Sequence, residues 1–512
     1  TPLPYYQFIG ILFFLVYNHY FEYHYVWKHS SLDLPKRYLL SCFWEGQEGS
    51  FLLWIFWNVV LGNIILITNR KWQSSTMAVF SLAQIALTSM LLGIYVVEYK
   101  IGSSPFTLLR DEFQAAPLFK SPNYLSLLKD GNGLNPLLQN YWMTIHPPTL
   151  FLGFASTVVP FAFAIAGLWT RQYKDWINHA LPWTIFSSGI LGTGIVMGAV
   201  WAYEALSFGG YWAWDPVENA SILPWLIMIA AVHTLAINKS TKHALPASFI
   251  LAILSFILVL YATFLTRSGI LGDSSVHAFT DLGMSGQLIL FNLLFVIIAS
   301  ILLIVNWKKI PGPKKEEQVY SREFWMFVGS LVLVISCIQV TSTTSIPVIN
   351  ALFNTTIAPP IDVIDHYNSW QLPIAIIIAL LTAIGQFFKY KKTDPKWMIN
   401  QLALSFIIST LGTIGIAYAL VIKNFALIAL LFASLFAIVG NIDYLIRVLR
   451  GKVRLAGASV AHVGFALMLI GVLISASKKE VISINRSGMS FGADFSEENN
   501  RENILLWKNK PL

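Results

Sequence analysis

The chain has 512 residues, 56% of them hydrophobic and 12% charged, with a net charge of +8 and a mean hydropathy of +0.62. A soluble chain of this size carries roughly a quarter charged residues, so a soluble enzyme is excluded. The Lys and Arg fall in short loops rather than one stripe, which argues against a nucleic-acid partner, and Cys42 and Cys337, far apart and outside any CxxC or metal spacing, argue against disulfide or zinc chemistry.

Apolar runs of about twenty residues, the length that crosses a bilayer core, recur along the chain. They predict about thirteen helical spans, near residues 5–21, 48–68, 76–98, 147–170, 182–202, 221–238, 246–266, 285–306, 323–344, 370–388, 397–420, 424–445 and 455–476. Open strands in lipid would leave backbone groups unpaired, so the runs are helices and the fold class is an all-α polytopic bundle. No cleavable signal peptide is visible. Residues 5–21 read as the latter part of a span, so further residues are expected ahead of Thr1. Residues 99–145, with "DGNGLNPLLQN", read as a loop carrying short helices, and the polar run 477–512 reads as the start of an outer-side soluble segment. The expected division is 1–145 (N-terminal spans and outer loop), 146–284 (the core around a Trp-rich loop), 285–476 (a C-terminal bundle) and 477–512.

Orientation comes from the loops. Arg70 and Lys71, Arg171 and Lys174, Lys239 and Lys242, Lys308 to Lys315, Lys389 to Lys396, and Arg447 to Arg454 occupy alternate connections, while 203–220 and 345–369 have no Lys or Arg. By the positive-inside rule the basic loops are cytoplasmic. The segment "GGYWAWDPVENASILPWL", residues 209–226, is then on the outer side, with Trp212 and Trp214 beside Asp215 and Glu218. Aromatic rings ordinarily gather at that boundary as anchors.

The histidines point further. His233 in "LIMIAAVHTLAIN" and His462 in "GASVAHVGFALML" both lie roughly 8–11 Å in from the cytoplasmic surface, at about 1.5 Å per residue. Ionisable groups inside a bilayer are expensive, and two imidazoles at one depth are what a six-coordinate b-type haem takes. A second pair is on the outer side: His146 in "IHPPTLFLGF", reading as the residue ahead of a helix whose first turn is Pro-Pro, and His277 in "RSGILGDSSVHAF". Together these could bracket a flat aromatic ligand stacked on Trp212 and Trp214. Arg267 reads equally as a partner for a haem propionate or as a snorkelling helix-end cation. Asp215 and Glu218 read equally as haem contacts or as a helix cap. His366 is a lesser candidate for a substrate groove.

The run "GGYWAWDPVENAS" resembles the tryptophan-rich WWD signature of haem-handling proteins in cytochrome c maturation. With "WEGQEGS", "HPPTLFLGF", "TRSGILGDSSVHAF" and "GASVAHVGFALML" in order, it is similar to the CcmF side of the CcmF/CcsA branch. The resemblance implies a haem lyase of the holocytochrome-c synthase type, one subunit of a multi-protein system in a bacterial inner membrane, with the WWD loop facing the periplasm. It implies that His146 and His277 ligate the haem being delivered, that Trp212, Trp214 and Asp215 face it with Gly209 and Gly210 allowing close approach, and that His233 and His462 hold a resident haem b. The chain supplies no catalytic nucleophile, because the thiols belong to the CxxCH segment of an apocytochrome c. Further partners implied are a CcmE-like haem chaperone, CcmH-like maturation proteins and the bilayer. Phe208 and Tyr211 stand where relatives often have Trp. A haem exporter or carrier without ligation chemistry is the rival reading, and the long C-terminal half with His462 counts against it. A respiratory cytochrome b subunit would space two His on one helix, and that spacing is missing.

Overall fold

The computed structural model describes residues 3–205, 210–272, 275, 283–312, 318–390 and 392–478. Phe208, Gly209, His277 and nearly all of the expected C-terminal segment lie outside the described residues. Among those described, eleven helices are long and apolar enough to cross a membrane: Gln47–Thr68, Tyr141–Trp169, Trp176–Ala205, Pro216–Thr241, Leu245–Arg267, Ser285–Lys309, Arg322–Thr344, Val363–Gly385, Pro395–Ala419, Phe425–Val448 and Gly457–Ser477. The protein is a multi-pass, all-α membrane protein. Two further expected spans are present as shorter helices, Leu3–Tyr17 of 15 residues and Gln73–Ser89 of 17 residues.

The expected run 76–98 does not stay helical to its end. Gly93 takes a φ of +61°, which glycine adopts readily, and the chain reverses into a hairpin of Ile94–Val96 against Tyr99–Ile101. A Cβ on Gly93 would stand 2.7 Å from the Ser104 Cβ, so this entry to the hairpin has no room for another residue, and the reversal itself is at Val97, with φ at +58°.

The chain divides into two compact units, one of Thr1–Gly198, Trp214–Ile374 and Phe387–Met398, the other of Ala199–Ala213, Ala375–Gln386 and Ile399–Leu512. At the centre of the first is Val158–Trp169, buried at every position from Val158 to Leu168. It packs on Gln73–Ser89, Leu245–Arg267 and Ser285–Asn306. A helix apolar on all sides belongs at such a centre. There Phe161 lies 4.8 Å from Phe256 and 5.6 Å from Phe295, ring to ring. Pro160 has no N–H to give the Ser156 carbonyl, and the Ser187 hydroxyl donates to that carbonyl instead at 3.0 Å.

Within this unit the expected cytoplasmic connections gather at one end. Lys71 donates to Asp175 at 2.8 Å, His179 to Asn69 at 2.8 Å and Tyr173 to Asn306 at 2.7 Å. Lys71 holds the exposed Asp175 carboxyl below its ordinary range.

In the second unit Phe425–Asp443 packs along Gly457–Ser477. Ala383, Ala437 and Ala466 share a small core with Phe436, and small residues let membrane helices approach closely. Asn441 donates to the Thr382 carbonyl at 3.0 Å and to its own helix at Ala437, 2.8 Å.

Candidate functional site

His146 is not ahead of a helix but inside one. The helix begins at Tyr141, capped by the Asn140 side chain accepting from the Trp142 N–H at 3.0 Å. His146, Pro147 and Pro148 therefore sit in its second turn. Pro147 leaves the Met143 carbonyl without its helical donor, and the Trp44 indole N–H fills the gap at 2.9 Å. Trp44 opens the "WEGQEGS" block, and Ser41, three residues earlier, meets Thr144 hydroxyl to hydroxyl at 3.1 Å. The bond that Pro147 forgoes is thus replaced by a partner 99 residues away.

The imidazole of His146 lies on Trp176–Ala205 at a Gly194-x-x-x-Gly198 face, the small-residue pattern that lets membrane helices close up. A Cβ on Gly198 would be 2.8 Å from the His146 Cε1, and one on Gly194 would be 2.8 Å from the Leu150 Cα. The His146 Nδ1 is 2.9 Å from the Gly194 carbonyl. A carbonyl only accepts, so Nδ1 carries the proton and the lone pair of the neutral ring is on Nε2. That is the tautomer an iron ligand needs, and a hydrogen bond of this kind fixes it.

Asp215 and Glu218 form a capping box on Pro216–Thr241. The Asp215 carboxylate accepts from the Val217 N–H at 2.9 Å, and Glu218 accepts from the Asp215 N–H at 3.1 Å. Asp215 also accepts from the Ser275 hydroxyl at 2.8 Å, joining the Trp-rich loop to the loop after Leu245–Arg267. The structure thus shows the pair as a helix cap.

Trp214 precedes the cap with φ at +56°, a left-handed conformation that costs a side chain roughly 1–2 kcal/mol. Three contacts hold it there. Its ring stacks on Tyr367 at 4.9 Å and 18°, its indole N–H donates to the Asn368 side chain at 3.0 Å, and its carbonyl accepts from Asn219 at 3.0 Å. Tyr367 and Asn368 fall in the expected loop 345–369 but lie on Val363–Gly385, which begins seven residues ahead of the expected 370. His366, beside them, bonds Thr343 at 3.0 Å. Gly210 and Trp212 belong to the second unit. There Tyr211 stacks on Tyr203 at 4.1 Å and 4°, and a Cβ on Gly210 would meet nothing within 4 Å.

Arg267 does not snorkel. It is 6% exposed, with its guanidinium 4.8 Å above the Phe51 ring and 5.9 Å from that of Phe151. Glu48 is the first acid acting on it, and Glu48 itself accepts from Ser103 at 2.6 Å. Close by, the buried Tyr25 hydroxyl donates to the Phe43 carbonyl at 2.8 Å. Burial first, then Glu48 and Glu45, push its pKa well above the ordinary range.

His233, in the first unit, holds its Nδ1 2.8 Å from the Ile229 carbonyl one turn back, so its lone pair is again on Nε2. His462, in the second, faces the Gln386 amide from 3.2 Å. His233 therefore has the donor chemistry of an axial haem ligand, whereas the nitrogen of the Gln386 amide faces the His462 Nδ1.

A family model described as "Cytochrome C assembly protein" matches residues 44–271. The chain is 33% identical over 479 residues to the cytochrome c-type biogenesis protein CcmF of Pseudomonas fluorescens, covering 88% of this chain and 66% of that one. It is 32% identical over 472 residues to CcmF of Pseudomonas aeruginosa, with coverage of 88% and 67%. It is 30% identical over 460 residues to CcmF of Escherichia coli K12, again with 88% and 67%. The chain thus spans about two thirds of the length of these relatives. A solved structure described as "Cytochrome c Heme Lyase CcmF" superposes with a TM-score of 0.66 at 24% identity, over 91% of this chain and 68% of that one, which shows a common fold.

Proposed function

Because this chain belongs to the CcmF family of cytochrome c-type biogenesis proteins, we propose that it presents haem, as a substrate, to an apocytochrome c on the outer face of the membrane. In the reaction each CxxCH thiol adds across one haem vinyl group. An S–C bond forms at one vinyl carbon, the thiol hydrogen ends on the other, and nothing is oxidised or reduced overall. The chain contributes no nucleophile. Its work is to hold one reactant in register with the other, an effect worth several kcal/mol.

The observation that carries this reading is the setting of His146. Its Nδ1–H is committed to the Gly194 carbonyl, and Gly198 makes room for the ring, which leaves the Nε2 lone pair as the one suited to iron. His277 is proposed as its opposite number and Trp212 and Trp214 as the stacking surface, with Gly209 and Gly210 leaving the approach open. Asp215 acts on that surface by capping and through Ser275. Arg267, buried with Glu48 close enough to act on it, supplies positive charge for propionates. Once a histidine of the apocytochrome displaces one axial ligand, the product is free to leave.

His233 and His462 are proposed as axial ligands of a resident haem b, on their matched depth in the sequence and the donor chemistry of His233. Such a group supplies one electron at a time, and would keep the delivered iron ferrous. The inner membrane, an outward-facing Trp-rich loop, a CcmE-like haem donor and CcmH-like thiol-handling partners belong to the same reading. The test is cytochrome c yield in cells that depend on this protein. His146→Ala should abolish it, with partial return on added imidazole, because a small free ligand fills the vacated axial position. Normal yield from His146→Ala would sink the proposal.

A further inference from the structure

Gln386 follows directly on Val363–Gly385, is 8% exposed, and presents its side-chain amide nitrogen 3.2 Å from the His462 Nδ1. Its position is fixed from behind. One turn earlier the Thr382 carbonyl takes the Asn441 amide at 3.0 Å, and Ala383 packs into the core that also holds Ala437 and Ala466. Ala466 lies one turn beyond His462 in the same core, so Ala383 and Ala466 flank the contact that Gln386 makes with His462.

The contact has two chemical forms. A carboxamide has an accepting oxygen at one end and a donating nitrogen at the other, with nearly the same shape. With the nitrogen towards His462, Nδ1 accepts, and the neutral imidazole keeps its proton on Nε2. With the oxygen towards it, Nδ1–H donates, and the lone pair is on Nε2. Only the second form binds iron through Nε2. His233 has no such choice, because the Ile229 carbonyl at 2.8 Å accepts in every case.

We propose that Gln386 is a positioning residue that selects the iron-binding tautomer of His462, so that filling of the resident site is coupled to reversal of the Gln386 amide. This rests on His462 being an axial ligand, as read above. In the ligating form Gln386 draws on the Nδ1 proton and makes Nε2 a stronger donor, the usual effect of an outer hydrogen bond on a metal-bound histidine. A carboxylate at the same place draws harder, since a charge-assisted bond is roughly twice as strong. A stronger donor favours ferric over ferrous iron.

Two variants test this in the full-length protein purified from membranes, by haem per chain and by redox titration of the resident low-spin band. Gln386→Glu accepts only, and is expected to keep haem at wild-type stoichiometry with a more negative reduction potential. Gln386→Met keeps the length without the hydrogen bond, and is expected to lower haem affinity about 10- to 100-fold, the usual loss on removing such a partner. Wild-type content and potential in both variants would overturn the proposal, and so would equal haem loss in both, which is what a space-filling role produces. His462→Ala separates the two layers. If it leaves the low-spin band intact, the ligand assignment falls and the tautomer argument with it; if it removes the band while both Gln386 variants behave as wild type, only the tautomer argument falls.

Discussion

Replacing Asp215 separates a capping role from direct contact with haem. Its carboxylate accepts from the Val217 N–H and from the Ser275 hydroxyl, at 2.9 and 2.8 Å. Losing an N-cap costs about 0.5–2 kcal/mol, and losing a hydrogen bond to a charged group about 1.5–3 kcal/mol. Asp215→Ala should therefore destabilise the start of Pro216–Thr241 and its tie to Ser275 by about 2–5 kcal/mol, with the upper end a limit because neighbouring terms do not add. Asp215→Asn keeps an oxygen in the same place, and Asn caps as well as Asp, so it should stay close to wild type. Hydrogen exchange of the Val217 amide in detergent reads this directly. Even the lower figure accelerates exchange about 30-fold in the Ala variant, since every 1.4 kcal/mol is tenfold. If Asn exchanges as fast as Ala, or Ala as slowly as wild type, the cap is not what Asp215 supplies. If Asn instead loses delivered haem with normal exchange, the negative charge acts on haem.

Gly198→Ala should push His146 off its carbonyl, because the new Cβ would lie 2.8 Å from Cε1, whereas Gly189→Ala on the same helix meets nothing within 4 Å; haem-binding titrations should show loss only in the first. Tyr367→Leu removes a stacked ring worth about 0.5–1.5 kcal/mol beyond its area, and Asn368→Leu removes the indole acceptor; either should release Trp214 and raise its solvent quenching, and unchanged fluorescence in both would show that the loop holds itself. Single cysteines at 205–212 should react with an impermeant maleimide from the outside and those at 312–316 should not, with the reverse pattern inverting the topology. Cys42 will not confuse that assay, since burial pushes its thiol up to about 12; labelling of Cys42 near neutral pH in the folded protein would contradict its placement.

The spans were legible because lipid imposes one rule on every helix, and charge-free apolar runs obey it wherever the partners lie. What failed were features set by contacts across the fold. The run from Met90 to Val97 is as apolar as a helix end, and the left-handed turn at Gly93 and the strand pairing that follows it come from no apolar pattern. The sequence puts the start of the His146 helix too late because Pro147 reads as a first-turn residue; Trp44, far off in sequence, supplies the donor that Pro147 lacks. Tyr367 and Asn368 carry no signature of their own, and their importance appears only when Trp214 is found against them. His233 and His462 stand out in the sequence because an imidazole at membrane depth is costly. The hydrogen bonds that choose which nitrogen ligates do not, since they come from carbonyls and from one amide on another helix.

The central claim is that this chain holds haem in two separate places, one through His146 with His277 and one through His233 with His462. Haem per chain in the protein purified from membranes supplied with haem, by pyridine hemochrome, tests it most directly. The expected content is two in the wild type and one in His146→Ala, where the band that persists is low-spin. In His462→Ala the resident low-spin band is lost and the outer haem retained. A single haem that both substitutions remove, or a content that neither changes, would contradict the account.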